Sequence, residues 1–386
     1  MKKFMTITLS MAMALSLAAC GSGSGGSGAD NTAAQSSADA SSADSTADGG
    51  SDGAADSAAD GGSDGAADSA AADSSDGAGS DGNSGSSDAD ASAPETVTIK
   101  SYNAEKAEID LEVPYDAQRI AILDMASLDI LDSLGLGDRV VGCAQTSLDY
   151  LQDYVTDENI ENLGTIKEAD LEAVMACEPD VIFIGGRLSS SYDALSEIAP
   201  VVFLSTDTEL GVVESVRKNA GIIASMFGAE DQVDALMSGF DSRIEALSAF
   251  ADGKNAIVGM CTSGSFNVLG NDGRCSIIGI EIGFENVGVD AEVDTSTHGN
   301  EASFEFVVEK NPDYIFVMDR DAAIGTDGAR LAQEIMENEL VMGTDAYKNG
   351  NIVYLAHPAV WYTAEGGVTA LDYMLSDLES ALGLGQ

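Results

Sequence analysis

One unit of helix, turn and strand occurs twice in this sequence, and it limits the folds that the chain can adopt. The segment DLEAVMACEPDVIFIGGR ends at Arg187, and SFEFVVEKNPDYIFVMDR ends at Arg320. Aligned without gaps, the two segments also match at Glu172 and Glu305. A proline follows each helical stretch, and an apolar run of strand character follows the proline. The repeat predicts two similar lobes, each with an arginine at the carboxyl end of a buried strand.

Strands and helices alternate on both sides of this repeat. Buried apolar strands separated by amphipathic helices favour a parallel sheet in an α/β fold. The predicted strands are 119–123, 139–144, 181–186, 200–205, 256–264, 314–319 and 351–356, and the predicted helices include 127–136, 170–178 and 304–311.

The stretch from 211 to 251 is different, because apolar residues recur there at helical spacing and no strand interrupts them. Within it, GAED at 228–231 indicates a helix end followed by a new start. The predicted fold class is therefore α/β, with two Rossmann-like lobes joined by a long α-helix.

The amino terminus has the pattern of an export signal. Lys2 and Lys3 precede an apolar run over 4–17, and Leu-Ala-Ala-Cys then ends at Cys20. Small residues followed directly by cysteine resemble the lipobox of bacterial lipoproteins. That resemblance implies cleavage before Cys20 and a lipid on its sulfur; a plain signal peptide is the alternative. No later stretch is long and apolar enough to predict a membrane span.

Residues 21–94 consist almost wholly of Gly, Ser, Ala and Asp, and GGSDGAADSAAD recurs there nearly unchanged. Such a segment buries too little apolar surface to offset the entropy of ordering, so we expect a disordered tether. The expected organisation is a lipoprotein signal peptide (1–20), the linker (21–94), an N-terminal lobe (95–208), a helical connector (209–252) and a C-terminal lobe (253–386).

Charge and cysteine content narrow the function classes. The net charge is −49, and such a surface repels nucleic acid and anionic lipid. The cysteines at 143, 177, 261 and 275 form no CxxC pair, and no histidine lies near them at zinc spacing. We expect Cys143, Cys177, Cys261 and Cys275 to be buried thiols, with a disulfide as the alternative in an exported protein.

The folded part resembles the solute-binding proteins of ABC importers, in which one long helix joins two α/β lobes. The phrases RIAILDMASLDILDSLGLGDRVVG, STHGNEASFEFVVEKNPDYIFVMDR and VWYTAEGG carry the resemblance, together with the first copy of the repeat. STHG, FVMDR and VWY are most similar to the subgroup that binds ferric catecholate siderophores. The resemblance implies a monomer held by lipid at the outer face of the cell membrane, in a Gram-positive envelope given the long tether.

The resemblance also implies roles for particular residues. His298 in STHG and Tyr362 in VWY match the side chains that bind iron directly in the subgroup. Arg187, Arg274 and Arg320 match the arginines that line its cleft. Iron(III) then arrives as a siderophore complex, and no intrinsic cofactor is expected.

Two acidic residues, Glu172 and Glu305, match those that dock each lobe onto the membrane subunits of the importer; Glu168 and Glu301 lie nearby as substitutes. Trp361 is the only tryptophan, and we expect its ring to lie against the ligand. Whether His357 or Tyr354 contributes to the site stays open.

The chemistry of these residues is consistent with that implied function. Iron(III) is a hard cation that favours anionic oxygen donors, and imidazole also binds iron. A siderophore with only two catecholates leaves two coordination positions for a phenolate and an imidazole. Arginine is permanently charged, and its planar fork suits the oxygens of an anionic chelate.

Other functions are less consistent with the sequence. Haem or cobalamin binding by the same fold is the nearest alternative. A zinc or manganese site is disfavoured because the chain has only two histidines. An exported enzyme or an adhesive surface protein is a more remote alternative, since residues 95–386 contain no G-x-S-x-G, HExxH or P-loop motif.

Overall fold

A computed structural model describes residues 93–289 and 299–385. The predicted signal peptide, Cys20, nearly all of the predicted linker and His298 lie outside these residues. In the part of the chain that the structure describes, no helix combines the length and hydropathy needed to cross a bilayer.

A β-hairpin begins the described chain. Strand β1 (Thr96–Tyr102) pairs antiparallel with β2 (Glu108–Pro114) over seven residues each. The sequence prediction did not include this hairpin, although Val97, Ile99 and Ser101 alternate with polar residues at the period of a strand. Ile99 and Ser101 are buried, so β1 covers part of the core beside it.

A five-stranded sheet follows, which contains the four strands predicted between 119 and 205 and one strand, β5, that the sequence prediction did not include. Its strands are β3 (Ile120–Ile122), β4 (Val140–Gln145), β5 (Glu161–Thr165), β6 (Val181–Ile184) and β7 (Val201–Phe203). They lie in the order β5-β4-β3-β6-β7, and every neighbouring pair is parallel. Strands β3, β6 and β7 are buried at every position, which explains their uniformly apolar sequences. The helices among these strands are α1 (Met125–Ser133), α2 (Gln152–Thr156), α3 (Leu171–Ala176) and α4 (Tyr192–Ser196).

Three helices occupy the predicted connector: α5 (Val212–Phe227), α6 (Val233–Met237) and α7 (Phe240–Ala251). The long helix of the prediction corresponds to α5, whose 16 residues span about 24 Å. It ends at Gly228, which adopts a left-handed conformation (φ 63°) that glycine reaches without a Cβ penalty. The helix end predicted at GAED is thus confirmed, and the connector bends there.

The second sheet is mixed. Its strands are β8 (Asn255–Thr262), β9 (Ser265–Leu269), β10 (Glu285–Asn286), β11 (Asn300–Glu301), β12 (Tyr314–Asp319) and β13 (Ile352–Tyr354). The main path is β11-β9-β8-β12-β13, with β10 paired to β8. β8, β12 and β13 are parallel to one another, whereas β9 is antiparallel to β8.

The β8–β9 pair corrects the predicted single strand at 256–264. Ser263 and Gly264 both have positive φ and form a two-residue turn between the strands. Two consecutive positive φ values are typical of the tight hairpin turn that matches strand twist. The remaining helices are α8 (Phe304–Lys310), α9 (Arg320–Ala323), α10 (Ala332–Met336), α11 (Asp345–Lys348), α12 (Pro358–Thr363) and α13 (Val368–Ala381).

The four described cysteines are buried and free, as expected, and no disulfide joins any two of them. Burial raises the pKa of Cys143 to about 11 and that of Cys261 to about 12. These thiols are therefore packing groups rather than nucleophiles.

A buried carboxylate joins α1 to the C-terminal helix. The side chain of Asp129 accepts hydrogen bonds from the backbone N–H groups of Thr369 and Ala370, both at 2.8 Å, and from the Tyr150 hydroxyl at 2.8 Å. A Cβ atom on Gly367 would lie 2.2 Å from a carboxylate oxygen of Asp129, so only glycine permits this approach. Asp129 thereby satisfies the first N–H groups of α13.

Replacing Asp129 with alanine should lower the free energy of unfolding by about 2–4 kcal/mol, because buried N–H groups lose a charged acceptor. Urea denaturation should show a lower midpoint with an unchanged slope. The exposed Asp234 on α6 provides the matched control, and D234A should stay within about 0.5 kcal/mol of wild type. Equal midpoints for D129A and D234A would contradict the role assigned to Asp129.

Candidate functional site

A cavity of about 520 Å³ opens between the two sheets. The part of its lining before the connector includes Asp124, Ser127 and Arg187, and the part after it includes Arg274 and Tyr362. The carboxyl end of β6 and the segments after β7 and β9 reach this cavity, and ligands of open α/β sheets bind at such ends.

Tyr362 is the centre of a cluster of three arginines. Each guanidinium carbon lies within 5.5 Å of the centroid of the Tyr362 ring: 5.4 Å for Arg187, 4.5 Å for Arg274 and 5.5 Å for Arg320. Arg187 donates a hydrogen bond to the backbone carbonyl of Tyr362 at 2.8 Å, and Arg274 contacts the same oxygen at 3.5 Å. Arg320 Nε donates to the phenol oxygen at 3.1 Å. The sequence-predicted arginines and Tyr362 are therefore brought together.

The repeated units explain how two of the arginines reach this position. Arg187 follows β6 within a 3-10 turn, and Arg320 is the first residue of α9, directly after β12. β6 is parallel to its neighbours in the first sheet, and β12 is parallel to β8 and β13 in the second. Each arginine therefore lies at the edge of its own sheet where the parallel strands have their carboxyl ends. Arg320 is held further by Thr262 Oγ1, at 3.1 Å, and by the carboxylate of Asp321, at 3.4 Å.

The electrostatics of the cluster favour negative charge. Burial alone would raise the pKa of Tyr362, but the hydrogen bond from Arg320 and the positive charges of the three arginines outweigh it, so the pKa is lowered. Burial, followed by the charge of Arg274, lowers the pKa of Arg187. Because the phenol pKa is lowered, less free energy is needed to ionise Tyr362 to the phenolate, which is an anionic oxygen ligand.

Glu365 is an acidic residue of the cavity that sequence reasoning missed. It lines the cavity and accepts a hydrogen bond from the N–H of Cys275 at 3.2 Å. Burial raises the pKa of Glu365 to about 7, although the positive charges of Arg274 and Arg187 oppose the shift. Below that pH the side chain is a neutral acid, so Glu365 does not offset the positive charges of Arg187 and Arg274 in the cavity. The only signal in the sequence is an acidic residue in the glycine-containing phrase after Tyr362.

The predicted ligand contact of Trp361 is corrected. Its ring is fully buried, and its Nε1 donates to Asp377 Oδ2 at 2.9 Å. Trp361 and Tyr362 are adjacent on α12, so their side chains point about 100° apart around the helix axis. When Tyr362 faces the cavity, Trp361 therefore packs into the core.

The two residues left open by the sequence lie outside the cavity lining. His357 Nδ1 contacts Asp377 Oδ1 at 2.6 Å, and its ring packs on Tyr373 with centroids 4.6 Å apart. Tyr354 lies on β13 beside the hydrophobic cluster of the second sheet. His298 lies outside the described residues. Within residues 93–289 and 299–385, no group of three or more His, Cys, Asp or Glu side chains is placed to hold a metal ion.

Glu172 and Glu305 occupy equivalent positions in the two repeats. Glu172 lies in the first turn of α3, after the capping residue Asp170, and Glu305 lies in the first turn of α8, after Ser303. Both glutamates are exposed. The predicted helix-turn-strand unit is present in both lobes, as α3 with β6 and α8 with β12.

Comparison with known proteins agrees with this architecture. A family model described as periplasmic binding protein matches residues 120–359. The petrobactin-binding protein YclQ of Bacillus subtilis is 33% identical over 273 residues, which cover 70% of this chain and 84% of YclQ. The chain belongs to the periplasmic binding protein family.

Solved structures show the same relationship. The crystal structure of YclQ has a TM-score of 0.68 and 32% identity, and the alignment covers 75% of this chain and 99% of that one. The periplasmic catecholate-siderophore binding protein VctP of Vibrio cholerae has a TM-score of 0.67 and 31% identity, covering 74% of this chain and 100% of that one.

A further relative is similar by sequence: the ferric-anguibactin-binding protein FatB of Vibrio anguillarum is 26% identical over 68% of this chain and 81% of FatB.

The arginines lower the pKa of Tyr362, whereas burial raises the pKa of Tyr150, Tyr154 and Tyr354. We therefore expect an ultraviolet titration of tyrosinate absorbance to show an early component that ionises below the ordinary value near 10. Y362F should remove this component and Y354F should retain it. In R320Q it should move to higher pH, because the phenolate loses its hydrogen-bond donor. An identical early component in Y362F would contradict this assignment.

Proposed function

We propose that this protein is the solute-binding component of an ABC importer and that it captures a ferric siderophore of the catecholate type. The observation that carries the proposal is the cluster of Arg187, Arg274 and Arg320 around Tyr362. Tyr362, Arg187 and Arg274 line the cavity, and Arg320 reaches it through its hydrogen bond to the Tyr362 phenol. Two relatives support it by what they bind, since YclQ is a petrobactin-binding protein and VctP binds catecholate siderophores. Binding proteins of this kind carry out no reaction, so we propose no enzymatic activity.

The charge distribution suits an anionic chelate. The chain carries a net charge of −49, yet three guanidinium groups surround Tyr362, and two of them, those of Arg187 and Arg274, line the cavity. A cationic cleft with low-dielectric walls concentrates an anionic ligand and orients it. Each planar guanidinium presents paired N–H groups that fit catecholate oxygens.

Direct iron coordination is the next step of the proposal. A ferric bis-catecholate leaves two positions on the metal, which we assign to the phenolate of Tyr362 and the imidazole of His298. The lowered pKa of Tyr362 supports the phenolate. His298 is proposed from its place in STHG, two residues before Asn300, the first residue of β11. Iron is cargo in this proposal, and no resident cofactor is required.

The export-signal pattern of the amino-terminal segment supports an extracytoplasmic location for the binding part. We propose that Cys20 carries the lipid anchor, that 21–94 is the tether, and that the folded part consists of lobes 95–208 and 253–386 with the connector 209–252. The protein then works as a monomer on the outer face of a Gram-positive cell membrane.

Glu172 and Glu305 are the proposed contacts with the permease. They are exposed, and they occupy equivalent positions in the two repeats. Two equivalent carboxylates suit a partner with two similar subunits and basic residues at each.

Titration of the purified protein with ferric complexes tests the ligand. We expect a ferric bis-catecholate to bind more tightly than a ferric hydroxamate, haem or cobalamin. R187Q, R274Q and R320Q should each weaken binding roughly 10- to 100-fold, because each removes a charged hydrogen bond worth about 1.5–3 kcal/mol. The matched control is R217Q, whose parent side chain pairs with Glu214 and Asp241 on the connector. Tighter binding of haem or cobalamin would assign the site to that ligand instead.

The visible spectrum of the bound complex tests coordination. H298A and Y362F should each change the charge-transfer band, since each removes an iron ligand. H357A and Y354F replace the residues outside the cavity lining and should leave the band unchanged. Spectra that are identical in H298A, Y362F and wild type would remove direct coordination from the proposal.

Transport assays test the docking residues separately from the ligand. The double variant E172K/E305K should keep its affinity for the ferric ligand but lose most of the stimulation of importer ATPase activity, because two attractive contacts become repulsive. E230K/E245K changes two exposed glutamates of the connector region by the same charge and serves as the control. Equal stimulation by both double variants would place the docking surface elsewhere.

A further inference from the structure

The tip of the β1–β2 hairpin brings a third cationic side chain to the cavity lining. Lys106 lines the same cavity as Arg187 and Arg274. The hairpin precedes residue 120, where the match to the family model begins. Lys106 is therefore a cavity residue contributed by a segment outside the matched family region.

The hairpin is fixed in place by hydrogen bonds at both ends. At its tip, Asn103 Oδ1 accepts from the N–H groups of Glu105 (3.1 Å) and Ala107 (2.9 Å), and the Lys106 N–H donates to the Asn103 carbonyl at 2.9 Å. Along β1, Ser101 Oγ accepts from the Phe203 N–H at 2.9 Å. Because Phe203 ends β7, the tip has a defined position relative to Ser205 and Thr206, which also line the cavity.

The Lys106 ammonium group is available to a ligand. Lys100, on the same hairpin, forms ion pairs with Asp110 at 2.8 Å and Glu108 at 3.7 Å. Lys218 also pairs with Glu108, at 3.3 Å. Among the described residues no ion pair holds Lys106, although the chain is strongly acidic and Glu105 is adjacent.

The backbone at this position does not favour lysine. Lys106 has φ 59°, a left-handed conformation that glycine and asparagine adopt more readily. Glycine or asparagine would adopt this conformation at lower cost, so folding alone does not require a lysine here. Strained backbone conformations cluster where a side chain serves a function, and the side chain of Lys106 faces the ligand cavity.

We infer that Lys106 determines specificity by binding a carboxylate that the siderophore carries outside the coordination sphere of the iron. The inference rests on the proposed function. The three arginines already surround Tyr362, where the proposed function places the iron and its catecholates. Lys106 belongs to a different element, the turn between β1 and β2. A separate cation on the cavity wall fits a separate anionic group of the ligand.

Two ferric bis-catecholates test this inference, one with a neutral linker and one with the same linker bearing a carboxylate. Wild type should bind the carboxylated complex roughly fivefold more tightly, as expected for a partly exposed ion pair, and salt should reduce the preference. K106Q should lose the preference while it retains affinity for the neutral complex. K100Q removes the same charge from the same hairpin, away from the cavity, and should keep the preference.

A second variant separates binding from folding. K106G relieves the left-handed strain, so its melting temperature should equal or exceed that of wild type while the preference is lost. If K106Q keeps the preference, or if it weakens both complexes equally, Lys106 makes no selective contact. Wild type that binds both complexes with equal affinity overturns only this inference, whereas wild type that binds neither overturns the proposed function.

Discussion

The gathering of three guanidinium groups around one phenol is the constraint on which the site depends. Like charges at this spacing repel, and burial strengthens the repulsion because less water screens it. The protein tolerates the arrangement because the Tyr362 carbonyl, its phenol oxygen and Thr262 accept hydrogen bonds from the arginines. Asp321 neutralises part of the charge of Arg320. The remaining positive potential faces the cavity, so an anion is the ligand that relieves it.

Carboxylates at the seam between the two halves hold the cavity walls together. Asp129 on α1 caps the N-terminus of α13, and Glu281, which follows β9 in the chain, accepts from the N–H groups of Val212 and Val213 at the start of α5. A carboxylate from before the connector thus satisfies the first turn of α13, and a carboxylate from after it satisfies the first turn of α5. Helix N-termini attract carboxylates through their unpaired N–H groups and the helix dipole. These caps join segments that are far apart in the chain on either side of the arginine cluster.

The parts of the fold that the sequence predicted are those set by local pattern. The buried strands β3, β6, β7 and β12 are apolar runs bounded by polar residues. The repeat located one arginine three residues after the end of β6 and another directly after β12. The helix end at Gly228 was visible because glycine adopts the left-handed conformation that stops a helix. The β1–β2 hairpin and the β8–β9 turn were missed, although alternation at 97–101 and the Ser263-Gly264 pair were signals of them. Short strands depend on partners far along the chain, and such pairing is weakly encoded in any one segment.

The amino-acid sequence by itself determined the α/β class, the two related units, the identity of the charged residues and the family to which they are similar. Only the tertiary structure decided which of those residues meet. Tyr362 and Trp361 are neighbours in the chain, yet helical geometry sends one to the cavity and the other into the core against Asp377. Lys106 and Glu365 had no recognisable motif, and they reach the cavity because a hairpin and a glycine-rich segment pack at its edge. Local pattern fixes chemistry and secondary structure, whereas a binding site forms from side chains that long-range packing brings together.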